Sequence, residues 1–312
     1  MKKNSTVLLL KDFLETRNLE ECWFQELELA LENVKDGNIG SSALYHLDNL
    51  CYSVFQALQK ESQERHLFRF TGFPPQYDDN EKLKEWEAAD CPIIRDIIHN
   101  DITLSSPKRF NDPMDPILKA WIERRKMHPD NKDDMILYKL IEATLDKVRI
   151  CSLVDPQRDK TIKKQSPDIL GCNALMWAHY ADKHKGICIQ YKVKPSNIID
   201  TDDMVVRLLD VNYDKPFPLN GNIPFVDSLI VKGDFWRYEK ESRLIIYSRN
   251  MKKEDEFYQL KDFEIEAVYM GYRIDKDKSE CLKTLLKGTN ISLYQMRFSH
   301  NNISKLESIQ VM

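Results

Sequence analysis

Two carboxylates stand two residues apart at Glu239 and Glu241, in the run WRYEKESR (236–243), directly before the apolar stretch Arg243–Tyr247. In extended backbone, residues i and i+2 project to the same side. Such a pair suits chemistry at an anomeric carbon. One carboxylate stabilises an oxocarbenium-like charge or grips a ribose hydroxyl, and the other orients or deprotonates the acceptor. The plain alternative is an exposed charged turn laced with surface ion pairs of small energetic consequence.

A second group of residues has the chemistry to hold an anion or a flat ring. Arg69 sits in the aromatic run LFRF (67–70). If it points inward it needs an anionic partner, either a pyrophosphate or an internal carboxylate such as Glu241. Ser105 and Ser106 put hydroxyls at the end of a short apolar run, and Phe110-Asn111-Asp112-Pro113 follows. An Asn-Asp-Pro turn commonly bonds its own backbone to fix a loop. Asp112 and Asp115 could instead join Glu239 and Glu241 around a cation, although no His lies nearby in sequence. Trp177, His179 and Tyr180 precede Gly186 in LMWAHYADKHKGICIQY (175–191), and each aromatic side chain is either core or the wall of a ring-binding cleft. His179 and His184 are about 140° apart on a helix, so they do not form a one-face zinc pair.

The elements that must position these groups follow from periodicity. The 175–191 stretch predicts a helix, a turn at Gly186 where positive φ costs a glycine nothing, and a strand over Ile187–Tyr191. Residues 1–65 predict helices: an apolar patch at Leu27–Val34 ended by Asp36-Gly37, then a stripe over Leu44–Leu58 opened by Ser41-Ser42. His66–Phe70 alternates and predicts a strand, followed by a polar insertion over Gln76–Asp90. A helix at Ile93–His99, a strand at Ile102–Ser105, helices at Ile117–Lys126 and Met135–Leu145, and a strand at Val148–Leu153 come next. Asp155–Ser166 predicts a surface loop. Strands are expected at Val205–Tyr213, Phe225–Val231, Arg243–Ser248, Ile265–Gly271 and Ile291–Arg297, with a helix at Lys278–Leu286. Without regular βαβ alternation, the fold class is α+β: a mixed, mostly antiparallel sheet with flanking helices. Residues 1–65 form an N-terminal helical extension and 66–312 the core domain.

Composition narrows the function classes. The 312 residues carry a formal net charge of −4, which argues against a duplex-DNA binder working by phosphate neutralisation. No GxGxxG or GxxxxGK[ST] occurs, so neither dinucleotide fingerprint nor P-loop is present. Seven cysteines, scattered and without a CxxC pair, predict reduced thiols, no metal site and a cytoplasmic setting. No segment approaches the length of a membrane span or signal core, so no membrane partner is expected.

Four motifs occur in order: LFRF (67–70), SSPKRFNDPMD (105–115), MWAHYADKHKGIC (176–188) and WRYEKESR (236–243). Together they resemble a bacterial family defined only as a domain of unknown function (DUF2971-like), over about His66 to His300. Met114 stands where that family commonly has Phe. The layout is in turn similar to the ADP-ribosyltransferase superfamily. This resemblance implies a core in which Arg69 holds the pyrophosphate or nicotinamide ribose of NAD and Ser105 or Ser106 supports the site. Phe110 and Asn111 belong to the same loop, and Trp177, His179 and Tyr180 supply the ring-facing side. Glu241 would be the catalytic carboxylate and Glu239 would serve the acceptor. The implied function is NAD-dependent ADP-ribosyl transfer to a protein or nucleic acid, as in a bacterial toxin or phage-defence effector. The rival expectations are a non-catalytic nucleotide-sensing or partner-binding module, with the N-terminal helices as partner surface, and a carboxylate-metal hydrolase.

Overall fold

A computed structural model describes residues 5–14, 19–34, 38–60, 62–76, 86–127, 132–158, 174–214, 224–261, 263–301 and 305–312. The helix end expected at Asp36-Gly37, most of the Gln76–Asp90 insertion and most of the Asp155–Ser166 loop lie outside these residues.

Three N-terminal helices, α1 (Ser5–Leu14), α2 (Glu21–Glu32) and α3 (Ser41–Ala57), lead into strand β1 (Arg65–Thr71). Then come α4 (Pro92–His99), β2 (Ile102–Ser105), α5 (Ile117–Met127), α6 (Lys132–Asp146) and β3 (Val148–Val154). The second half holds α7 (Ala174–Tyr180), β4 (Ile187–Val193), β5 (Met204–Asp210), α8 (Phe225–Ile230), β6 (Glu241–Ser248), β7 (Phe257–Leu260), β8 (Glu264–Met270), α9 (Lys276–Leu286), β9 (Ser292–Phe298) and β10 (Leu306–Gln310). Among the described residues the strands join one sheet with the path β10-β9-β8-β4-β1-β3-β2-β7; β6 pairs β3 on one side and β5 on the other. All pairings are antiparallel except β8 with β9. The α+β class expected from the sequence is the class observed.

Two features of this sheet matter for the site. The first is a split. β6 runs the full length of β3, from Val148↔Tyr247 to Val154↔Glu241. On the opposite edge β3 is shared: β1 touches it at Phe68↔Val154 and β2 at Ser105↔Ile150. Between those two points the β3 edge faces a gap rather than a ladder.

The second is the division of the strand faces. Ile245 and Tyr247 of β6 join Val148, Ile150 and Val205 in the apolar cluster that holds Leu10, Leu27, Leu50 and Phe55 of the N-terminal helices. Leu244 and Ile246 point the other way, into a cluster with Ile94, Ile97 and Leu282. This is the period-two alternation of a strand buried on both faces. The N-terminal helices therefore pack on the same sheet that carries the candidate site.

The segment expected as a strand at Phe225–Val231 is the helix α8. Phe225, Ser228 and Leu229 are buried at i, i+3 and i+4 spacing, which a helix satisfies as well as a short apolar strand would. β7 and β10, both short and mostly half-buried or exposed, were not expected. The turn after α7 also differs from expectation. Asp182, Lys183 and His184 carry the positive φ, at 44°, 53° and 71°. Gly186 has a different duty: a Cβ there would stand 2.2 Å from the carbonyl oxygen of Thr71, so the β4 entry can close on β1 only without a side chain.

Candidate functional site

The sheet split opens into a cleft of about 310 Å³. Its floor is the unladdered β3 edge, Ile150–Val154. Arg69 and Phe70 come from β1, Thr103 and Ser105 from β2, Arg109–Asp112 from the loop after it, and Met176 and Tyr180 from α7. Lys232, Trp236, Glu239 and Glu241 close the remaining side. Residues separated by more than 170 positions thus meet in one depression.

The carboxylates are not on an exposed turn. Glu239 ends a 3-10 turn (Asp234–Glu239), Lys240 takes the left-handed conformation at φ 48°, and Glu241 opens β6. Glu239 and Glu241 are each only 3% exposed, and burial at that level demands cations. Lys232 supplies the first: its Nζ lies 2.6 Å from Glu239 Oε2, 3.1 Å from Glu241 Oε2 and 3.3 Å from Asp115 Oδ2. Arg243 supplies the second. Its Nε donates to Glu241 Oε1 at 2.7 Å, and its Nη2 donates to both Asp115 oxygens at 2.7 and 2.6 Å and to Glu241 Oε2 at 3.2 Å. Three carboxylates and two cations leave one formal negative charge in the group.

The two glutamates differ in what neutralises them. Burial pushes Glu241 up, but Arg243 and Lys232 together outweigh it and hold the carboxyl down at about 2. Glu239 moves the other way: burial raises it above the ordinary carboxylate range, with Lys232 pulling against that rise. Its Oε1 accepts the Tyr180 hydroxyl at 2.6 Å. The Tyr180 phenol is itself pushed up, by burial and then by that carboxylate. The pair is one carboxyl held below its ordinary value beside one raised above it.

The other expected residues divide. Arg69 faces the cleft, with its Nη1 3.4 Å from Asp96 Oδ2, and its carboxylate neighbour is Asp96 rather than Glu241. Asp96 is itself anchored by the Thr103 hydroxyl at 2.7 Å and amide at 3.2 Å. Ser105, Phe110 and Asn111 line the cleft, and Phe110 lies under the Arg243 guanidinium at 5.5 Å. Ser106 is buried outside it, and its hydroxyl accepts from the Lys108 amide to cap a turn, which short hydroxyl side chains do readily. Trp177 is fully buried, edge-on to Phe70 at 5.1 Å and stacked on His184 at 6.3 Å, so it is core and not a cleft wall. His179 is exposed and does not line the cleft, its ring 6.4 Å from Tyr238. Asp112 turns back on its own loop and accepts from the Met114 amide at 2.8 Å. Cations already engage Asp115, Glu239 and Glu241, and no group of three or more His, Cys, Asp or Glu among the described residues could hold a metal ion.

Lys232 and Ser152 were missed. Ser152 is the one exposed residue of β3, opposite Arg243 in register, in the cleft floor. A polar side chain interrupting VRICSLV was the available signal. Lys232 had none beyond the principle that two buried glutamates require a cation.

The fold and cleft define an α+β protein with a split open sheet whose gap is lined by a charged cluster. Residues 176–244 match the family model described as "Protein of unknown function (DUF2971)", the family to which the four motifs pointed. The matched segment contains Tyr180, Lys232, both glutamates and Arg243. Neither the curated proteins nor the solved structures include a match to this chain. No helix among the described residues is long and apolar enough to cross a membrane.

Proposed function

We propose that the cleft binds NAD and that the protein transfers ADP-ribose from it to an acceptor. The observation that supports this reading is that Arg69, Ser105, Asn111, Glu239 and Glu241, drawn from three distant motifs, line one cleft. The cleft also has two chemically different ends. At one, the Arg69 guanidinium beside Asp96 and the exposed Arg109 paired with Glu256 present N–H donors; at the other, the buried group at Glu239 and Glu241 carries a surplus formal negative charge. A ligand with an anionic pyrophosphate and a cationic nicotinamide ring complements both ends. As the ribose C1′–nicotinamide bond breaks, positive charge develops on the ribosyl carbon. Glu241, its carboxyl held low by Arg243 and Lys232, is preorganised to stabilise that charge. Glu239 then takes the proton of the attacking acceptor.

One observation favours a non-catalytic nucleotide-sensing module instead: both oxygens of Glu241 are already engaged by Arg243 and Lys232. Calorimetric NAD binding and nicotinamide release, measured for wild type, Glu239→Gln and Glu241→Gln, separate the two. Release by wild type and its loss in Glu241→Gln, with binding retained, supports the transferase. Binding without release in all three supports the sensor. Absence of binding rejects both.

A further inference from the structure

Lys232 is 6% exposed and lies within 3.3 Å of three carboxylates, yet those contacts are not equivalent. Asp115 and Glu241 each have a second cation, because Arg243 reaches both. Among the described residues Glu239 has none besides Lys232, and its other oxygen receives the neutral Tyr180 hydroxyl. The Lys232 ammonium also faces the Trp236 ring at 5.1 Å, so the carboxylates and an indole face enclose it.

We propose that Lys232 is the positioning residue that keeps the buried Glu239 ionisable, as its counter-ion among the described residues. It holds Glu239 as the exchangeable acid–base group while Arg243 alone suffices to keep Glu241 ionised. The charged and titratable groups facing this centre are Asp115 from the loop before α5, Tyr180 from α7, Tyr213 after β5, Tyr238 from the 3-10 turn, and Glu241 and Arg243 from β6. The tyrosine phenols are all raised, by burial first, and stay neutral through the working range, so they add hydrogen bonds but no charge. Removing the Lys232 ammonium therefore leaves Glu239 buried without a counter-ion and Glu241 still paired, which raises the proton affinity of Glu239 selectively. In the transferase reaction proposed above, this would move the acidic limb of the pH profile upward, because Glu239 accepts the acceptor's proton only when ionised.

The test is a carbon-13 carboxyl titration of the full chain: wild type, Lys232→Met and Lys232→Arg, with Glu239→Gln and Glu241→Gln assigning the two resonances. The expected result is a rise of at least ten-fold in the proton affinity of Glu239 in Lys232→Met, its return towards wild type in Lys232→Arg, and Glu241 ionised throughout. If Lys232→Met does not fold, Lys232→Gln, which keeps a hydrogen-bond donor and removes the charge, is held to the same criterion. An unmoved Glu239 midpoint, or an equal shift of Glu241, overturns the assignment. The titration needs no ligand. A shifted Glu239 in a protein that never releases nicotinamide would reject the transferase reading and leave the role of Lys232 standing.

Discussion

The two ends of β6 share one strand, one face and the same two partner strands, yet they are stabilised in opposite ways. At the far end, Tyr247 stacks on Phe55 at 5.7 Å and meets Phe225 edge-on at 6.3 Å under the N-terminal helices. At the near end, four residues away, Arg243 and Glu241 sit as deeply buried in a five-charge cluster. Apolar burial is non-directional and roughly proportional to area, so the first end tolerates exchange of similar shapes. A buried charge requires a particular partner in a particular geometry, so each member of the second end depends on the others. A site that develops charge needs the second kind of construction, and the apolar half supplies the rigid platform that holds it.

The largest expected effect comes from removing the cation that two carboxylates share. Arg243→Met leaves Asp115 without its closest partner and Glu241 with Lys232 alone, and should cost about 3–5 kcal/mol of stability in urea unfolding. Arg243→Lys should also be costly, because an ammonium cannot reproduce a fork that bridges Asp115, Glu241 and the Leu229 carbonyl. A loss below about 1 kcal/mol, the range of an exposed pair, would mean the cluster is solvated and the contrast between the two ends is false.

The next effect is a pH dependence with two signs. Glu241 is held at about 2 against an ordinary 4.5, so it contributes stability that is present above 4.5 and is lost as pH falls towards 2. The advantage of wild type over Glu241→Gln should narrow across that window. Glu239 is raised, so its contribution is present at low pH and is lost as pH rises through its elevated value. Wild type should therefore lose ground to Glu239→Gln as pH rises. Chemical denaturation of the three proteins across pH checks both signs, and parallel curves for the two variants would show that the glutamates share one environment.

The fold class was legible because period-two and period-3.6 stripes survive in most of the elements. α8 was not, since six residues with apolar ends fit either period. Arg69, Ser105, Asn111 and both glutamates, singled out as polar types flanking strand ends, line one cleft. Ser106 and Trp177 went wrong for a shared reason: the side chain's direction depends on a turn or a helix docking that the local sequence does not encode. The pairing of Glu241 with Arg243 was adjacent in sequence. Lys232 was invisible because it enters from the end of α8, which the sequence had marked as a strand.

The smallest expected effects belong to the apolar end, and they test whether it is only a platform. Phe55 and Phe225 meet edge-on at 5.4 Å, and Phe225 also packs on Phe13 at 5.4 Å. Phe55→Leu and Phe225→Leu should each cost about 1–3 kcal/mol, because the smaller side chain removes buried carbons and leaves a partial cavity. Their double mutant should reveal a coupling of about 0.5–1.5 kcal/mol from the lost ring pair. Neither should move the Glu239 titration, because the charged cluster takes its energy from partners within it and the apolar end contributes only a rigid backbone. A shift in that titration would show that packing under the N-terminal helices alters the spacing of Lys232, Glu239 and Glu241. Those helices would then be part of the site's tuning rather than its support.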